Sequence, residues 1–130
     1  MKDRELMIQL SEAVEGLLWL SESDYLWETV YMENVDNIEK KLLKLTHSNS
    51  PTKIEIRELG SFFKRVTQVK DGDEEELQES RRYQTLVDLL KTHLRDIKVY
   101  RVGECEIKVY ILGTTELGNV VGLSTMVVET

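Results

Sequence analysis

Over its last third the chain changes hydrophobic period, and this constrains its fold more than any other feature. Ile97 to Val102, Cys105 to Leu112 and Asn119 to Val128 are three successive strand candidates, rich in β-branched and aromatic residues. Cys105, Ile107, Val109 and Ile111 fall on one face of the middle strand, and Glu106, Lys108 and Tyr110 on the other. Gly103-Glu104 separates the first two strands and is a tight-hairpin signal, whereas Gly113 to Gly118 makes a longer turn before the third. Turns this short leave no room for the crossover that parallel neighbours need, so this third forms an antiparallel meander.

The preceding residues are mostly of helical period. Leu6, Leu10, Ala13, Val14 and Leu17 make an apolar stripe that predicts a helix from about Asp3 to Leu20, with Gly16 in its last turns. The polar run Ser21-Glu22-Ser23-Asp24 reads as a loop, and Trp27 to Glu33 as a strand. Val35, Ile38, Leu42 and Leu45 continue as a second helix, with Asp36 and Glu39 as its start signal. Thr46 to Pro51 is a loop, and Ile54, Ile56 and Leu59 alternate with charged residues as a half-buried strand. Ser61 to Val66 predicts a short helix laying Phe62 and Phe63 on the core. The loop Gln68 to Asp73 leads to a long helix from Glu74 to Arg95, with the stripe Leu77, Tyr83, Leu86, Val87, Leu90 and Leu94. Interspersed helices and strands closed by a meander make one α+β domain, with helices on both faces of the sheet.

At 130 residues, such a domain buries a core without disulfide staples. A net charge of −7 argues against nucleic-acid binding, which needs clustered Lys and Arg. One cysteine makes no internal disulfide, and no apolar run approaches the roughly 18 residues of a membrane span. No secretory signal is visible in Met1-Lys2-Asp3-Arg4-Glu5. The expected setting is the cytoplasm. The charge is unevenly spread: residues 1–33 balance to −6, 34–70 to +4, 71–80 to −6 and the remainder to +1. Most such runs are solvated faces. The alternative is an acidic surface that docks on a basic partner.

The enzymatic inventory is thin. His47 and His93 match no metal-ligand spacing and read as surface residues. Cys105 falls on the apolar face of its strand, where a cysteine behaves as a small hydrophobe. A Cys105–His93 nucleophile pair has no local support. No phosphate-binding glycine loop, Gly-x-Ser-x-Gly elbow or His-Glu-x-x-His pair is present. The sequence does not read as an enzyme. Trp19 and Trp27 read first as core residues at the end of a helix and the start of a strand, and second as interface anchors.

Several blocks resemble the nuclease A inhibitor (NuiA-like) family. These are Gly16 to Tyr25, Ser61-Phe62-Phe63-Lys64-Arg65, Val99 to Glu104, Val109 to Gly113, Gly118-Asn119, Gly122 to Thr125 and Val127-Val128-Glu129-Thr130. Their order runs along nearly the whole chain, the stretch Val35 to Pro51 matching poorly. The resemblance implies a three-layer α/β/α sandwich around a mixed, largely antiparallel sheet. It also implies an inhibitor that occludes the active site of a sugar-nonspecific, metal-dependent endonuclease of the nuclease A type. By that resemblance Glu22 and Thr130 are the principal contacts, with Ser21, Ser23 and Asp24 beside Glu22, and with Asp71 and Asp73 in the acidic loop before the long helix. The family carries a tryptophan contact in that loop. Here it reads Val69-Lys70-Asp71-Gly72-Asp73, without an aromatic, a departure that bears on affinity and nuclease preference.

A phosphodiesterase presents a basic groove and a bound divalent cation, so a competitor needs negative charge and hard oxygen donors. Glu22 offers a carboxylate from a short loop. Thr130, as the last residue, combines a hydroxyl with the α-carboxylate, a donor set that suits the nuclease's Mg²⁺ across the interface. No cofactor is expected in the isolated protein, which is expected to act as a monomer in a one-to-one complex without touching nucleic acid or membrane. The competing reading is an acidic interaction module with a non-nuclease partner. A hydrolase using Cys105 ranks below both.

Overall fold

The computed structural model describes residues 3–19, 25–33, 35, 37–45, 54–69, 71–103 and 106–128. Among these, the first helix, α1, spans Asp3–Val14 and is followed by three short strands, β1 (Leu18–Trp19), β2 (Tyr25–Leu26) and β3 (Glu28–Met32). Then come α2 (Ile38–Leu45), β4 (Ile54–Arg57), α3 (Leu59–Thr67) and α4 (Glu74–His93). The meander β5 (Arg95–Val102), β6 (Glu106–Thr114) and β7 (Val120–Val128) closes the chain. The fold is α+β. β5, β6 and β7 lie at the centre of a five-stranded sheet of order β3-β7-β6-β5-β4. The sheet was expected to be mixed, but its pairings among the described residues are all antiparallel. β1 and β2 form a separate antiparallel hairpin, pairing Leu18 with Leu26 and Trp19 with Tyr25.

Strand alternation divides the core into two clusters. Val99, Val109, Ile111, Val121 and Leu123 pack with apolar residues of α1, α3 and α4. Tyr100, Val102, Tyr110, Leu112 and Val120 pack instead with Met32 of β3 and Leu42 of α2. The expected stripe of α4 is buried from Tyr83 to Leu94, while Leu77 is half-buried. Tyr110, assigned from alternation to the polar face of β6, is only 6% exposed, because its face carries the second cluster. Gly122 pairs with Val30 on one side and Leu112 on the other, and an added Cβ would run into the Ile111 carbonyl oxygen. Backbone in mid-sheet cannot move aside cheaply. Gly122→Ala is therefore expected to destabilise the fold by about 3 kcal/mol, measured as a lowered urea midpoint at unchanged slope.

Two elements end elsewhere than the sequence reading placed them. α1 stops at Val14 rather than running to Leu20. Gly16 takes a left-handed φ of 70°, which ends helices readily because glycine has no Cβ. Arg82 of α4 donates from Nη2 to the carbonyls of Ala13 (3.1 Å) and Glu15 (2.6 Å), satisfying acceptors at the helix end. Leu18 and Trp19 are thereby released into the hairpin. Leu59 belongs to α3, not to the preceding strand, and is buried. The start signal read at Asp36 lies outside the described residues; the N-cap bond of α2 runs from the Lys40 amide to Asn37 Oδ1, at 3.0 Å.

Candidate functional site

Register sorts the ends of the molecule. At one end, Glu106 pairs with Val128 and Ile54 with Val102, so the start of β4, the β5–β6 turn and the end of β7 lie together. β3 runs antiparallel to β7 from the Glu28–Ser124 pair, so the residues before Glu28 lie beside those after Ser124. A hydrogen bond from Thr125 Oγ1 to the Leu26 carbonyl (3.0 Å) joins the β1–β2 hairpin to β7 on this side.

α4 brings acidic charge to the same end. Its C-terminus meets the opposite end of the sheet, where Arg95 pairs with Thr114, so its N-terminal half points back toward the hairpin. There the Trp27 Nε1–H donates to the Tyr83 hydroxyl at 3.2 Å. Both rings are buried, and Phe63 of α3 packs on them at centroid distances of 6.0 and 5.7 Å. Burial pushes the Tyr83 phenol up to about 12, partly offset by the bond from Trp27. Tyr83 thus stays neutral at ordinary pH. The core reading of Trp27 holds.

Asp71 and Asp73 precede α4 and are both exposed. Asp73 has a second task. Its Oδ1 accepts from the Glu76 amide at 2.8 Å, making it the N-cap, and Glu74, Glu75 and Glu76 put further negative charge on the first turn. Asp73→Ala should cost about 1 kcal/mol of stability while Asp71→Ala costs almost none, a difference that paired thermal melts resolve.

Ser21, Glu22, Ser23, Asp24 and Thr130 lie outside the described residues. Their described neighbours in sequence are Trp19 and Tyr25, which pair across the hairpin, and Val128, the last residue of β7. Next to the hairpin, an open groove of about 690 Å³ runs between the end of α1 and the β2–β3 segment. Glu12, Glu15 and Glu28 line it together with Val14, Leu26 and Trp27. Leu26 is 57% exposed and Tyr25 37%. An exposed apolar side chain with polar and charged neighbours is compatible with a protein-docking surface.

The remaining chemistry lies elsewhere. His93 ends α4 near the Thr114 end of the sheet, while His47 and Cys105 lie outside the described residues. Among the described residues no group of three or more His, Cys, Asp and Glu side chains is placed to hold a metal ion, and no helix is long and apolar enough to cross a membrane. Sequence reasoning missed Asp3. It is buried, and its Oδ2 accepts from Thr115 Oγ1 (3.1 Å) and Asn119 Nδ2 (2.8 Å), fastening α1 to the β6–β7 turn at the end remote from the hairpin. An acid in a helix's first turn was the available signal, but its partners are more than a hundred residues away.

Together these features define a small α+β protein in which the exposed Tyr25 and Leu26 lie near Glu12, Glu15 and Glu28 beside an antiparallel sheet. The family model described as nuclease A inhibitor-like protein matches residues 4–130, and the chain belongs to that NuiA family. No curated protein matched the chain.

Proposed function

We propose that this protein inhibits a sugar-nonspecific, divalent-metal-dependent endonuclease of the nuclease A type by blocking its active site with Glu22 and Thr130. The observation that carries the reading is the family match over residues 4–130. Fold geometry supports it: the hairpin strands on either side of residues 20–24 and the end of β7 before residues 129–130 sit at one end of the sheet. In this reading β7 of the sheet presents the Thr130 contact, so little ordering entropy is lost there on binding. The Glu22 carboxylate and the Thr130 hydroxyl and α-carboxylate are hard oxygen donors of the kind Mg²⁺ accepts. That ion belongs to the nuclease, where it polarises the phosphate. This chain's part is to occupy the cleft, exclude substrate and oppose the groove's positive charge. Ser21, Ser23 and Asp24 flank Glu22 in that contact, and Asp71 and Asp73 approach from the α4 side.

A plasmid-degradation assay with a nuclease A-type enzyme and Mg²⁺ tests the reading. Stoichiometric protection of the plasmid is expected. Undiminished degradation, with a different protein captured, would favour the acidic interaction module. The acids at 71–79 steer the approach, since Asp71, Glu74, Glu75 and Glu76 are exposed. Replacing those four by their amides should slow association about tenfold at low salt and flatten its salt dependence, leaving dissociation nearly unchanged, as stopped-flow binding would show.

A further inference from the structure

The β3–β7 ladder ends at the Glu28–Ser124 pair, before the hairpin begins. Between ladder and hairpin stands Trp27, whose side chain is turned into the core and held at Tyr83. Among the described residues the hairpin has two residue pairs, too few for stability on its own. Thr125 is the residue of β7 just past the ladder's last pair, and it is only 2% exposed. Its backbone is registered with Val109 of β6 on the other side of the strand, while its hydroxyl donates to the Leu26 carbonyl at 3.0 Å. A side chain thus continues the connection where backbone pairing stops.

From this arrangement we infer that Thr125 is a positioning residue for inhibition. Its hydroxyl fixes the hairpin in place beside the end of β7, so that the two contact regions meet the partner as one surface. The inference rests on the proposed function, and it adds a residue that touches neither the nuclease nor its metal. The hydrogen bond, not the volume, is the active property. Thr125→Val keeps the shape and removes the donor, whereas Thr125→Ser keeps the donor.

The test combines inhibition titrations with backbone amide exchange of the full chain. Thr125→Val is expected to weaken inhibition about tenfold, the size of one side-chain hydrogen bond, and Thr125→Ser to stay within about threefold of the parent. In a Glu22→Ala background the Thr125→Val loss should shrink to less than about twofold, because the hairpin has then lost its principal contact. Amides of Tyr25 and Leu26 should exchange faster in Thr125→Val while those of β6 do not. Full potency in Thr125→Val, or a loss undiminished in the Glu22→Ala background, would overturn the inference. If Glu22→Ala itself leaves inhibition intact, the proposed mechanism has failed, and amide exchange then decides alone. Faster exchange in the hairpin upholds Thr125 as its anchor; unchanged exchange refutes it.

Discussion

Glu22→Ala is expected to weaken inhibition by about 2–5 kcal/mol, and capping the α-carboxylate of Thr130 as an amide, or adding one residue after it, by a comparable amount. The reason is the asymmetry of buried charge. In the proposed complex the nuclease's cation and basic side chains would lose water, and the oxygens of this chain would replace it. Removing one oxygen donor leaves a desolvated positive group without a partner, which costs far more than the net gain of the original pair. Losses at exposed acids such as Asp71 should be small by contrast, because solvent and salt already screen them. Inhibition constants for variants at Glu22, Thr130 and Asp71, at constant ionic strength, check the prediction. Equal, small losses at all three positions would mean the charge acts at long range only.

The second large effect falls on the core. Phe63→Ala should destabilise the protein by about 3–5 kcal/mol. Phe63 is 1% exposed and packs against Trp27, Tyr83 and Phe62, the last edge-to-face at 5.2 Å. These rings come from α3, α4 and the β2–β3 junction, so the cavity left by truncation opens beneath the hairpin as well as between helices. Loss of stability should show in chemical unfolding. Whatever fraction remains folded should retain inhibition to within a few-fold, since none of these rings is a proposed contact.

How far the sequence discloses this molecule depends on the range of the forces involved. The meander was legible because its signals are local: β-branched runs in all three strands, alternation within β6, and glycine-bearing turns between the strands. The stripe of α4 was legible for the same reason. Long-range contacts were not. Nothing near Gly16 announces that Arg82 will cap the end of α1, and without that cap the apolar stripe to Leu17 reads as a longer helix. Tyr110 looked solvent-facing because alternation reports one covered face, whereas the second cluster covers the other. At the candidate site, Glu22 and Thr130 emerged through resemblance alone. Carboxylates and a terminal hydroxyl have no distinctive spacing, and the chain is rich in acids. Thr125 was invisible for a related reason. Threonine is ordinary in a strand, and its role depends on the edge where β3 pairing stops.

A crystal structure of the complex with a metal-loaded nuclease A-type enzyme tests the central claim most directly. The account predicts that Glu22 and Thr130 both lie within the catalytic cleft, with carboxylate oxygens turned toward the bound cation and its basic neighbours. A complex in which residues 129–130 extend into solvent, with the cleft filled by another part of the surface, would contradict it.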